Sequence, residues 1–336
     1  MNERYSRQIL FSPIGTEGQR KLQDSSVCII GMGALGTVLA NHMVRAGVGF
    51  VRIVDRDYVE ASNLQRQLLY DEDDVAQGYP KVVAAQKKLS RINSEVRIEA
   101  IVADATAGSI EKLLDGIDLV LDGTDNFQTR FLLNDACFRR GIPFIYGGAV
   151  SSRGMSAVLV PGETPCFRCF VPAGDSSGQT CDMIGVISPI VDIIASYQAV
   201  EALKLLVGAR DARRDSLLSI DVWGNRTFEM KLGEPRADCP CCQLKQYPAL
   251  QAQGEEAVAL CGRETVQFAS KGPMDLPGWE LRLKPVATTI LRNVYLLRAE
   301  LPDGERLVLF PDGRVLVQGT EDLTRAKVLY DRYIGS

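Results

Sequence analysis

Short apolar segments alternate with longer segments of helical periodicity through the first half of the chain. The apolar segments with the length of buried strands cover residues 27–30, 50–54, 97–101, 117–121 and 144–146. The segments with a helical pattern cover residues 34–46, 82–89 and 126–140. This strand–helix–strand order predicts an α/β fold with a Rossmann-like, doubly wound sheet whose first strands are parallel.

The pattern changes in the second half of the chain. Residues 155–160, 217–222 and 228–232 have the pattern of strands, and no crossover helix separates the last two. The apolar segment at 189–207 is long enough for a helix and predicts one in the core. We therefore expect the second half of the sheet to be mixed or antiparallel.

The composition changes again after Cys242. Residues 243–258 are polar and rich in Ala and Gln, which predicts a linker between a domain at 1–242 and a module at 259–336. Strand patterns at 294–301, 306–310 and 314–317 are separated by Pro-Asp-Gly turns, and a helical pattern at 323–333 follows them. The module is therefore expected to be a small C-terminal α+β unit.

The overall composition excludes several classes of protein. The 336 residues carry a net charge of −4, so no basic excess points to nucleic acid. No apolar run reaches the ~18 residues of a membrane span, and the charged N-terminus lacks a signal peptide, so we expect a cytoplasmic protein. The chain has nine cysteines and one histidine. In a reducing compartment this favours metal or thiol chemistry over disulfides, and it excludes sites that need two histidines.

A glycine-rich loop, Gly31-Met32-Gly33-Ala34-Leu35-Gly36, follows the first predicted strand and opens the first predicted helix. Glycines there permit a tight turn and let backbone N–H groups approach a phosphate. Asp55 ends the second strand, where its carboxylate can accept hydrogen bonds from a ribose. The loop predicts a nucleotide, but by itself it does not distinguish NAD from ATP.

Charged residues at other predicted strand ends favour ATP. Arg66 follows the second strand, Lys81 comes later next to Pro80, and Asp125 follows the strand at 117–121. Ligands of doubly wound sheets bind at this edge. Two cations and a carboxylate near a phosphate loop suit a triphosphate with Mg²⁺. Taken singly, Arg66 and Lys81 could be solvated surface charges, and Asp125 could be a helix N-cap.

Two Cys-x-x-Cys pairs predict a zinc site. They are Cys166 with Cys169 and Cys239 with Cys242. Two such pairs can place four thiolates tetrahedrally around Zn²⁺, and closed sites of this kind are structural rather than catalytic. Either pair alone could instead be a redox motif. Cys241 lies between the second pair and is not expected to be a ligand.

The combination of motifs resembles the ThiF/MoeB/HesA family of the ubiquitin-activating enzyme superfamily. Six motifs carry this resemblance in the family's order: Arg4-Tyr5-Ser6-Arg7-Gln8, the glycine loop, Ser62-Asn63-Leu64-Gln65-Arg66-Gln67, Lys81, Thr124-Asp125-Asn126 and the cysteine pairs. The resemblance covers about residues 1–242. It implies a homodimeric adenylyltransferase that activates the terminal glycine of a ThiS- or MoaD-like sulfur carrier, with a sulfur donor as a further partner.

The resemblance also implies roles for individual residues. Asp55 would bind ribose, Asn63, Arg66 and Lys81 would contact phosphates, Asp125 would hold Mg²⁺, and Arg7 would reach into the partner subunit's site. The full set expected to bind nucleotide is Gly31, Gly33, Ala34, Gly36, Asp55, Ser62, Asn63, Leu64, Gln65, Arg66, Lys81, Asp125 and Asn126. The motifs are compatible with a carrier that serves thiamin, molybdopterin or another thiolated product.

Cys181 is a further candidate for chemistry. It lies outside both cysteine pairs and outside any apolar run, so we expect it to be at least partly exposed. In ThiF-like relatives the cysteine at this position is implicated in covalent linkage to the carrier, whereas in MoeB-like relatives it is dispensable. An unreactive loop cysteine is the alternative, because no flanking base lowers its pKa.

Two other functions compete with adenylation. An NAD-dependent dehydrogenase could use the same glycine loop, although it has no use for Arg66, Lys81 and Asp125 together. A zinc scaffold without enzymatic activity could bind a partner through the C-terminal module. The segment with Cys261-Gly262-Arg263 resembles the extension of some ThiF-type enzymes rather than a rhodanese active loop.

Overall fold

The computed structural model describes residues 3–171, 184–251, 257–260, 264–269 and 272–335. The chain forms two compact units. The first unit consists of Met1–Asp74 and Pro80–Ala252, and the second consists of Val75–Tyr79 and Gln253–Ser336. The second unit therefore includes a short stretch from the middle of the first half of the chain.

The first unit contains a mixed sheet with helices. Its strands are β1 (Ser26–Ile30), β2 (Phe50–Asp55), β3 (Arg97–Val102), β4 (Leu119–Asp122), β5 (Phe144–Val150), β6 (Arg153–Leu159), β7 (Ser216–Asp221) and β8 (Arg226–Lys231). Its helices are α1 (Ser6–Ile9), α2 (Gly15–Asp24), α3 (Ala34–Ala46), α4 (Glu72–Gln77, which runs on into the second unit), α5 (Lys81–Ile92), α6 (Ile110–Leu113), α7 (Phe127–Arg140), α8 (Phe167–Phe170) and α9 (Ser188–Val207). Short 3₁₀ turns occur at Glu3–Tyr5, Ala61–Asn63, Arg210–Ala212 and Pro248–Leu250.

The eight strands are ordered β3-β2-β1-β4-β5-β6-β7-β8. The pairs from β3 to β5 are parallel, and those from β5 to β8 are antiparallel. The predicted doubly wound sheet with a parallel first half and a mixed second half is confirmed. The parallel half brings the carboxyl ends of β1, β2 and β4 to one edge, because Ile30 pairs with both Val54 and Asp122.

Local signals explain where the main helices begin and end. Helix α3 starts after Gly33 and stops at Gly47, which has a left-handed φ of 81°. Helix α7 starts after Asn126, whose side chain accepts a hydrogen bond from the Thr129 N–H. Helix α9 begins close to the predicted residue 189, and many of its side chains are buried, as expected of a core helix.

The second unit is a small α+β module. Its strands are β9 (Ala257–Leu260), β10 (Thr265–Phe268), β11 (Thr289–Arg292), β12 (Leu297–Glu300), β13 (Arg306–Leu309) and β14 (Val315–Gln318). They form an antiparallel sheet in the order β11-β12-β13-β14-β10-β9. Helices α10 (Leu276–Leu283) and α11 (Leu323–Tyr333) contribute Leu276, Leu283 and Leu329 to its core.

The module contains more elements than the apolar pattern indicated. The strands at 294–301, 306–310 and 314–317 and the helix at 323–333 are confirmed, with small differences at the strand ends. Strands β9, β10 and β11 were not predicted, and they lie outside the run of strands that the two Pro-Asp-Gly turns separate. Strand β9 begins at Ala257, within the stretch predicted as a linker. Among the described residues, no helix combines the length and the apolar character needed to cross a membrane.

Candidate nucleotide site and cysteine cluster

The glycine loop connects the end of β1 to the start of α3 at the carboxyl edge of the parallel strands. Its backbone is tied to the neighbouring strands, because the Gly31 N–H donates to the Val54 carbonyl and the Gly123 N–H donates to the Ile30 carbonyl. The loop, Asp55 and the segment after β4 are thereby brought together. Residues that are far apart in the sequence form one continuous edge, as the strand pattern predicted.

The glycines of the loop have two different roles. A Cβ at Gly31 would lie 2.6 Å from the Gly123 carbonyl oxygen, and one at Gly36 would lie 1.9 Å from the Gly31 carbonyl oxygen. These two glycines therefore permit direct backbone contact. Among the described residues, a Cβ at Gly33 would meet only the Gln67 side chain, at 3.9 Å. Gly33 leaves space at the N-terminus of α3, where free N–H groups attract phosphate.

Asp55 lies at the end of β2 and braces the glycine loop. Its Oδ2 accepts a hydrogen bond from the Met32 N–H at 2.6 Å, and its Oδ1 accepts one from the Asp57 N–H at 2.8 Å. Burial raises the pKa of the Asp55 carboxyl, and the nearby Lys81 ammonium opposes this shift. The carboxylate is thus oriented beside the loop, where the sequence predicted a ribose contact.

Lys81 is buried at the start of α5, and its ammonium group lies close to the carboxylates of Asp55 and Asp57. Its Nζ lies 3.3 Å from Asp57 Oδ2, and its backbone N–H donates to the Asp57 carbonyl at 2.9 Å. The Lys81 side chain is only 6% exposed. A lysine with so little solvent contact is not the solvated surface charge of the alternative interpretation.

The polar run after β2 is locally ordered. Asn63 ends the 3₁₀ turn Ala61–Asn63, and its side-chain oxygen accepts from the Glu60 N–H in a capping box. The Arg66 guanidinium donates to the Ser62 carbonyl at 2.8 Å. Arg66 is half-buried, Gln65 is exposed and Leu64 is half-buried. The run therefore presents a mixture of backbone and side-chain donors close to Asp55 in the chain.

Asp125 is exposed in the loop between β4 and α7, and Asn126 caps α7. The loop is supported from below by a buried ion pair, Arg130 Nε to Asp122 Oδ2 at 3.1 Å. Arg130 also donates to the Thr124 carbonyl at 2.8 Å, and the Thr124 N–H and hydroxyl donate to Asp122. The N-cap position belongs to Asn126, so the Asp125 carboxylate is not used as the helix cap.

Arg7 lies far from this edge of its own chain. It is exposed on α1, and the adjacent Gln8 donates to the carbonyl of Ala46, the last residue of α3. The glycine loop is at the other end of this 13-residue helix. A helix of that length spans about 20 Å. Arg4 similarly donates to the Ile92 carbonyl at the end of α5, whose first residue is Lys81. The N-terminal segment thus contacts the C-terminal ends of α3 and α5, whereas the glycine loop and Lys81 lie at their N-terminal ends.

The four predicted cysteines come together. The Sγ atoms of Cys166, Cys169, Cys239 and Cys242 all lie within 4.8 Å of one another. The Sγ separation is 4.0 Å for Cys166 and Cys169, and it is 3.5 Å for Cys166–Cys239 and Cys169–Cys242. Zn–S bonds of about 2.3 Å in a tetrahedron require sulfur atoms roughly 3.8 Å apart. The cluster is therefore compatible with zinc.

Helix α7 supports the cysteine cluster through two adjacent side chains. The side-chain Oδ1 of Asn134 accepts a hydrogen bond from the Phe167 N–H at 2.8 Å, and its side-chain Nδ2 donates to Cys241 Sγ at 3.3 Å. Asp135 accepts two hydrogen bonds from Arg168 and a third from the Ala249 N–H. Both cysteine pairs are thus attached to α7. Cys241 is buried, and it is not among the four clustered cysteines.

Sequence reasoning missed several residues that shape the two sites. Asp57, the partner of Lys81, follows Asp55 by two positions, and a second carboxylate after a strand end is the signal that could have indicated it. Arg130 and Asn134 lie inside a helical pattern that gave no indication of burial. Cys181 and the Cys261-Gly262-Arg263 segment lie outside the described residues.

Comparisons with known proteins agree with this arrangement. The model of the ThiF family matches residues 5–241. The chain is 45% identical, over 339 aligned residues and the full length of both chains, to the sulfur carrier protein ThiS adenylyltransferase of Bacillus subtilis. It is 38% identical to a sulfur carrier protein adenylyltransferase of Thermus thermophilus, over 71% of this chain and 90% of the relative.

Solved structures share the fold. A crystal structure of Escherichia coli MccB with ATP matches with a TM-score of 0.63, over 72% of this chain and 75% of that chain. The sequence identity is 24%, so this similarity concerns the fold alone.

Proposed function

This chain belongs to the ThiF family, and from that premise we infer that it adenylates a sulfur-carrier protein with ATP. The observation that carries the inference is the carboxyl edge of the sheet. There, the open phosphate loop at Gly33 and the oriented Asp55 carboxylate follow neighbouring strands, and the buried Lys81 ammonium lies beside Asp57, two residues after Asp55. The full-length similarity to a ThiS adenylyltransferase supports the same activity.

The reaction needs no general base. The C-terminal carboxylate of the carrier is ionised near neutral pH and attacks the α-phosphorus of ATP, and the bond to pyrophosphate breaks. Catalysis then consists of positioning the reactants and stabilising the charge that develops on the phosphates. Lys81 and Arg66 supply positive charge, and the N-terminus of α3 supplies backbone donors. A chain with one histidine is suited to such chemistry.

Magnesium is the metal that we assign to the nucleotide. Asp125 is the residue that would hold it, because the carboxylate is exposed beside the phosphate loop and is not used as the cap of α7. Mg²⁺ binds through one or two carboxylates together with substrate phosphates, and it neutralises the charge of the leaving pyrophosphate. The Asp122–Arg130 ion pair keeps the Thr124–Asp125 backbone in place below that position.

We assign the four clustered cysteines to a structural zinc ion. The cluster joins the segment after β6 to the segment before Pro248–Leu250, and α7 supports both. Thiolate ligands in a closed set of four leave no open position for a substrate. The zinc therefore contributes to folding, and no step of adenylation passes through it.

The protein acts as a homodimer in this proposal, with Arg7 completing the site of the partner subunit. Its own glycine loop is about a helix length away from Arg7, farther than an arginine side chain extends. Leu10 and Phe11 follow Arg7 and are 72% and 60% exposed. Aromatic residues and arginine are enriched at protein–protein interfaces, and this segment presents both. Arg7 thus has no route to phosphates in cis and suits a role in trans.

The carrier is a ubiquitin-fold protein that ends in Gly-Gly, and its adenylate is the precursor of a thiocarboxylate. We assign the pathway to thiamin, because a relative that matches over its whole length is a ThiS adenylyltransferase. A sulfur donor protein then acts after adenylation. Neither of the two relatives described above is named as a dehydrogenase.

ATP–pyrophosphate exchange tests the proposed function. We expect exchange of labelled pyrophosphate into ATP only when a carrier ending in Gly-Gly is present. A carrier that lacks the last glycine is the control, and it should give no exchange. Absence of exchange with a ThiS-like carrier, or retention of labelled NAD instead of ATP by the pure protein, would overturn adenylation.

A further inference from the structure

The N-terminal segment of the first unit holds Arg7 between two anchored neighbours. Residues Glu3–Tyr5 form a 3₁₀ turn, and the single turn of α1 follows at Ser6–Ile9. The side chains of Tyr5 and Gln8 are bonded to the helices of this unit. Arg7 is exposed, and its guanidinium makes no hydrogen bond or ion pair with any residue that the structure describes.

Tyr5 is the most deeply buried residue of this segment. It is 2% exposed, and its hydroxyl accepts a hydrogen bond from the side-chain nitrogen of Asn93 at 2.8 Å. The same nitrogen donates to the Val44 carbonyl at 2.9 Å. Asn93 is fully buried and directly follows α5, and Val44 lies in the last turn of α3. One amide therefore joins Tyr5 to the C-terminal ends of both helices.

Gly47 makes room for the Tyr5 ring. This glycine ends α3 with a left-handed φ of 81°, a conformation that side chains disfavour. A Cβ at Gly47 would lie 2.5 Å from Cζ of Tyr5, so the ring packs directly against the backbone of the glycine. The ring is therefore held in a recess that the end of α3 provides.

Gln8 is a second anchor on the same side of α1. Its Nε2 donates to Gln19 Oε1 at 2.7 Å and to the Ala46 carbonyl at 2.9 Å. Gln19 is buried and donates to the same carbonyl at 3.0 Å. Residues three apart in a helical turn lie on one face, so Tyr5 and Gln8 face the unit together. Arg7 is rotated by about 200° from Tyr5 around the turn and lies on the outer side.

We propose that Tyr5 is a positioning residue for Arg7, and that it acts on the nucleotide site of the partner subunit rather than on that of its own chain. The anchored face holds the backbone on both sides of Arg7, while the guanidinium stays available to a phosphate outside its own chain. A cation that is held in place loses less conformational entropy on binding than one on an unanchored segment. The proposal rests on the proposed function, because it takes Arg7 as a phosphate contact in trans.

Two replacements of Tyr5 separate the ring from its hydroxyl. Tyr5→Ala empties the recess beside Gly47, and we expect carrier-dependent pyrophosphate exchange to fall by about 10²-fold, because a misplacement of about 1 Å costs this much. Tyr5→Phe keeps the ring and loses only the bond to Asn93, so exchange should stay within about threefold of wild type. A loss in Tyr5→Phe as large as in Tyr5→Ala would mean that seating of the ring is not what matters.

Purified heterodimers with two different affinity tags separate a role in trans from a role in cis. In the first heterodimer, one chain carries Tyr5→Ala and the other carries Asp125→Ala. Its intact nucleotide edge receives Arg7 from a chain that keeps Tyr5, so exchange per intact site should equal that of wild type. In the second heterodimer, one chain carries both substitutions and the other is wild type. Its intact edge receives Arg7 from the chain that lacks Tyr5, so exchange should fall by about 10²-fold.

The ranking of the two heterodimers decides the proposal. A residue that merely stabilises its own chain would impair the first heterodimer and spare the second, and this reversed ranking, or equal rates, would overturn the inference. If Arg7→Ala alone exchanges like wild type, or if the protein is a monomer, Arg7 has no role in trans and that part of the proposed function fails as well. If Arg7 behaves as expected in trans and Tyr5→Ala does not, only this inference fails.

Gln8→Ala provides a second variant that removes two hydrogen bonds without a core cavity. We expect roughly a tenfold loss of exchange, as for two net hydrogen bonds, with the same ranking of heterodimers. The absence of any loss in Gln8→Ala would contradict anchoring of Arg7 by its neighbours.

Leu113→Ala is the matched control for stability. Leu113 is buried on α6, which contributes no residue to the candidate nucleotide site, and its truncation leaves a cavity in the same unit. The Tm should fall at least as far as in Tyr5→Ala, while exchange measured well below the Tm stays within about twofold of wild type. If Leu113→Ala lowers exchange as much as Tyr5→Ala does, the effect is a general loss of stability and the proposal is wrong.

Discussion

The nucleotide edge and the cysteine cluster differ in how their residues are supplied. The cluster uses four identical side chains, which a single chain brings within 4.8 Å of one another. The nucleotide edge uses backbone N–H groups and single charged side chains from several strand ends, and Arg7 of the same chain lies at the far end of α3. One site is complete within a chain and closed, and the other is open and, in our proposal, completed by a partner.

This difference indicates what each site is for. A closed set of thiolates has no room for a reactant and serves to connect segments. An open edge with a phosphate loop and a buried lysine can admit and release a nucleotide. The two sites share helix α7, whose first residues carry the Asp125 loop and whose middle supports the cysteines through Asn134. A variant of the cysteine cluster should therefore affect mainly stability, and a variant of the nucleotide edge should affect mainly activity.

The largest expected effect is the loss of protein stability when a cysteine of the cluster is replaced. Cys239→Ser should remove zinc and lower the free energy of unfolding by about 4 kcal/mol or more, as for the loss of a structural metal. Metal analysis and thermal unfolding measure both effects, and wild type should contain about one zinc per chain. Cys241→Ser is the matched control, because serine keeps an acceptor for Asn134 and the four clustered cysteines are intact. A zinc-free wild-type protein that is folded and active would refute the structural role.

Asp125→Ala should lower activity and leave stability almost unchanged, in contrast to Cys239→Ser. We expect carrier-dependent pyrophosphate exchange to fall by about 10²–10³-fold, because the metal on the phosphates loses its carboxylate. The free energy of unfolding should change by no more than about 0.5 kcal/mol, since Asp125 is exposed. Replacement of another exposed carboxylate, Glu234→Ala, should leave exchange unchanged. Normal exchange in Asp125→Ala would remove this residue from the site.

Mixing of Arg7→Ala and Asp125→Ala chains tests whether the nucleotide site is completed by a partner subunit. Arg7→Ala and Asp125→Ala chains should each be inactive alone, and mixing them with subunit exchange should restore about a quarter of the wild-type sites, as expected for a symmetric dimer. Native mass spectrometry verifies the exchange. Failure to recover activity in proven heterodimers would show that Arg7 and Asp125 act in the same chain.

The smallest effect on adenylation is expected for Cys181→Ser. This cysteine is proposed for sulfur transfer after adenylation, because a thiolate is a strong nucleophile toward an acyl-adenylate. Pyrophosphate exchange should therefore match wild type, whereas formation of the carrier thiocarboxylate from ATP and a sulfur donor should slow. Mass spectrometry of the carrier C-terminus measures this step, and thiocarboxylate formed at the wild-type rate would mean that Cys181 has no chemical role.

The sequence predicted the elements that have strong local signals. Helix α3 was predicted at its observed bounds, because an apolar periodic segment lies between Gly33 and Gly47. Helix α11 was predicted equally well. Strands β9 to β11 and helix α10 were not predicted, because they lie outside the run of strands that the Pro-Asp-Gly turns at 302–304 and 311–313 separate. In such segments, packing on neighbouring strands decides the structure rather than the local pattern.

By itself, the sequence determined the fold class, the phosphate loop and the four clustered cysteines, since each depends on residue types at short, regular spacings. Only the tertiary structure decided which polar residues meet. It paired Lys81 with Asp57, buried Arg130 against Asp122, and joined Asn293 to residues 77 and 78. These contacts link residues that belong to different elements. No periodicity records them, because they depend on strand order and on where chain segments cross after folding.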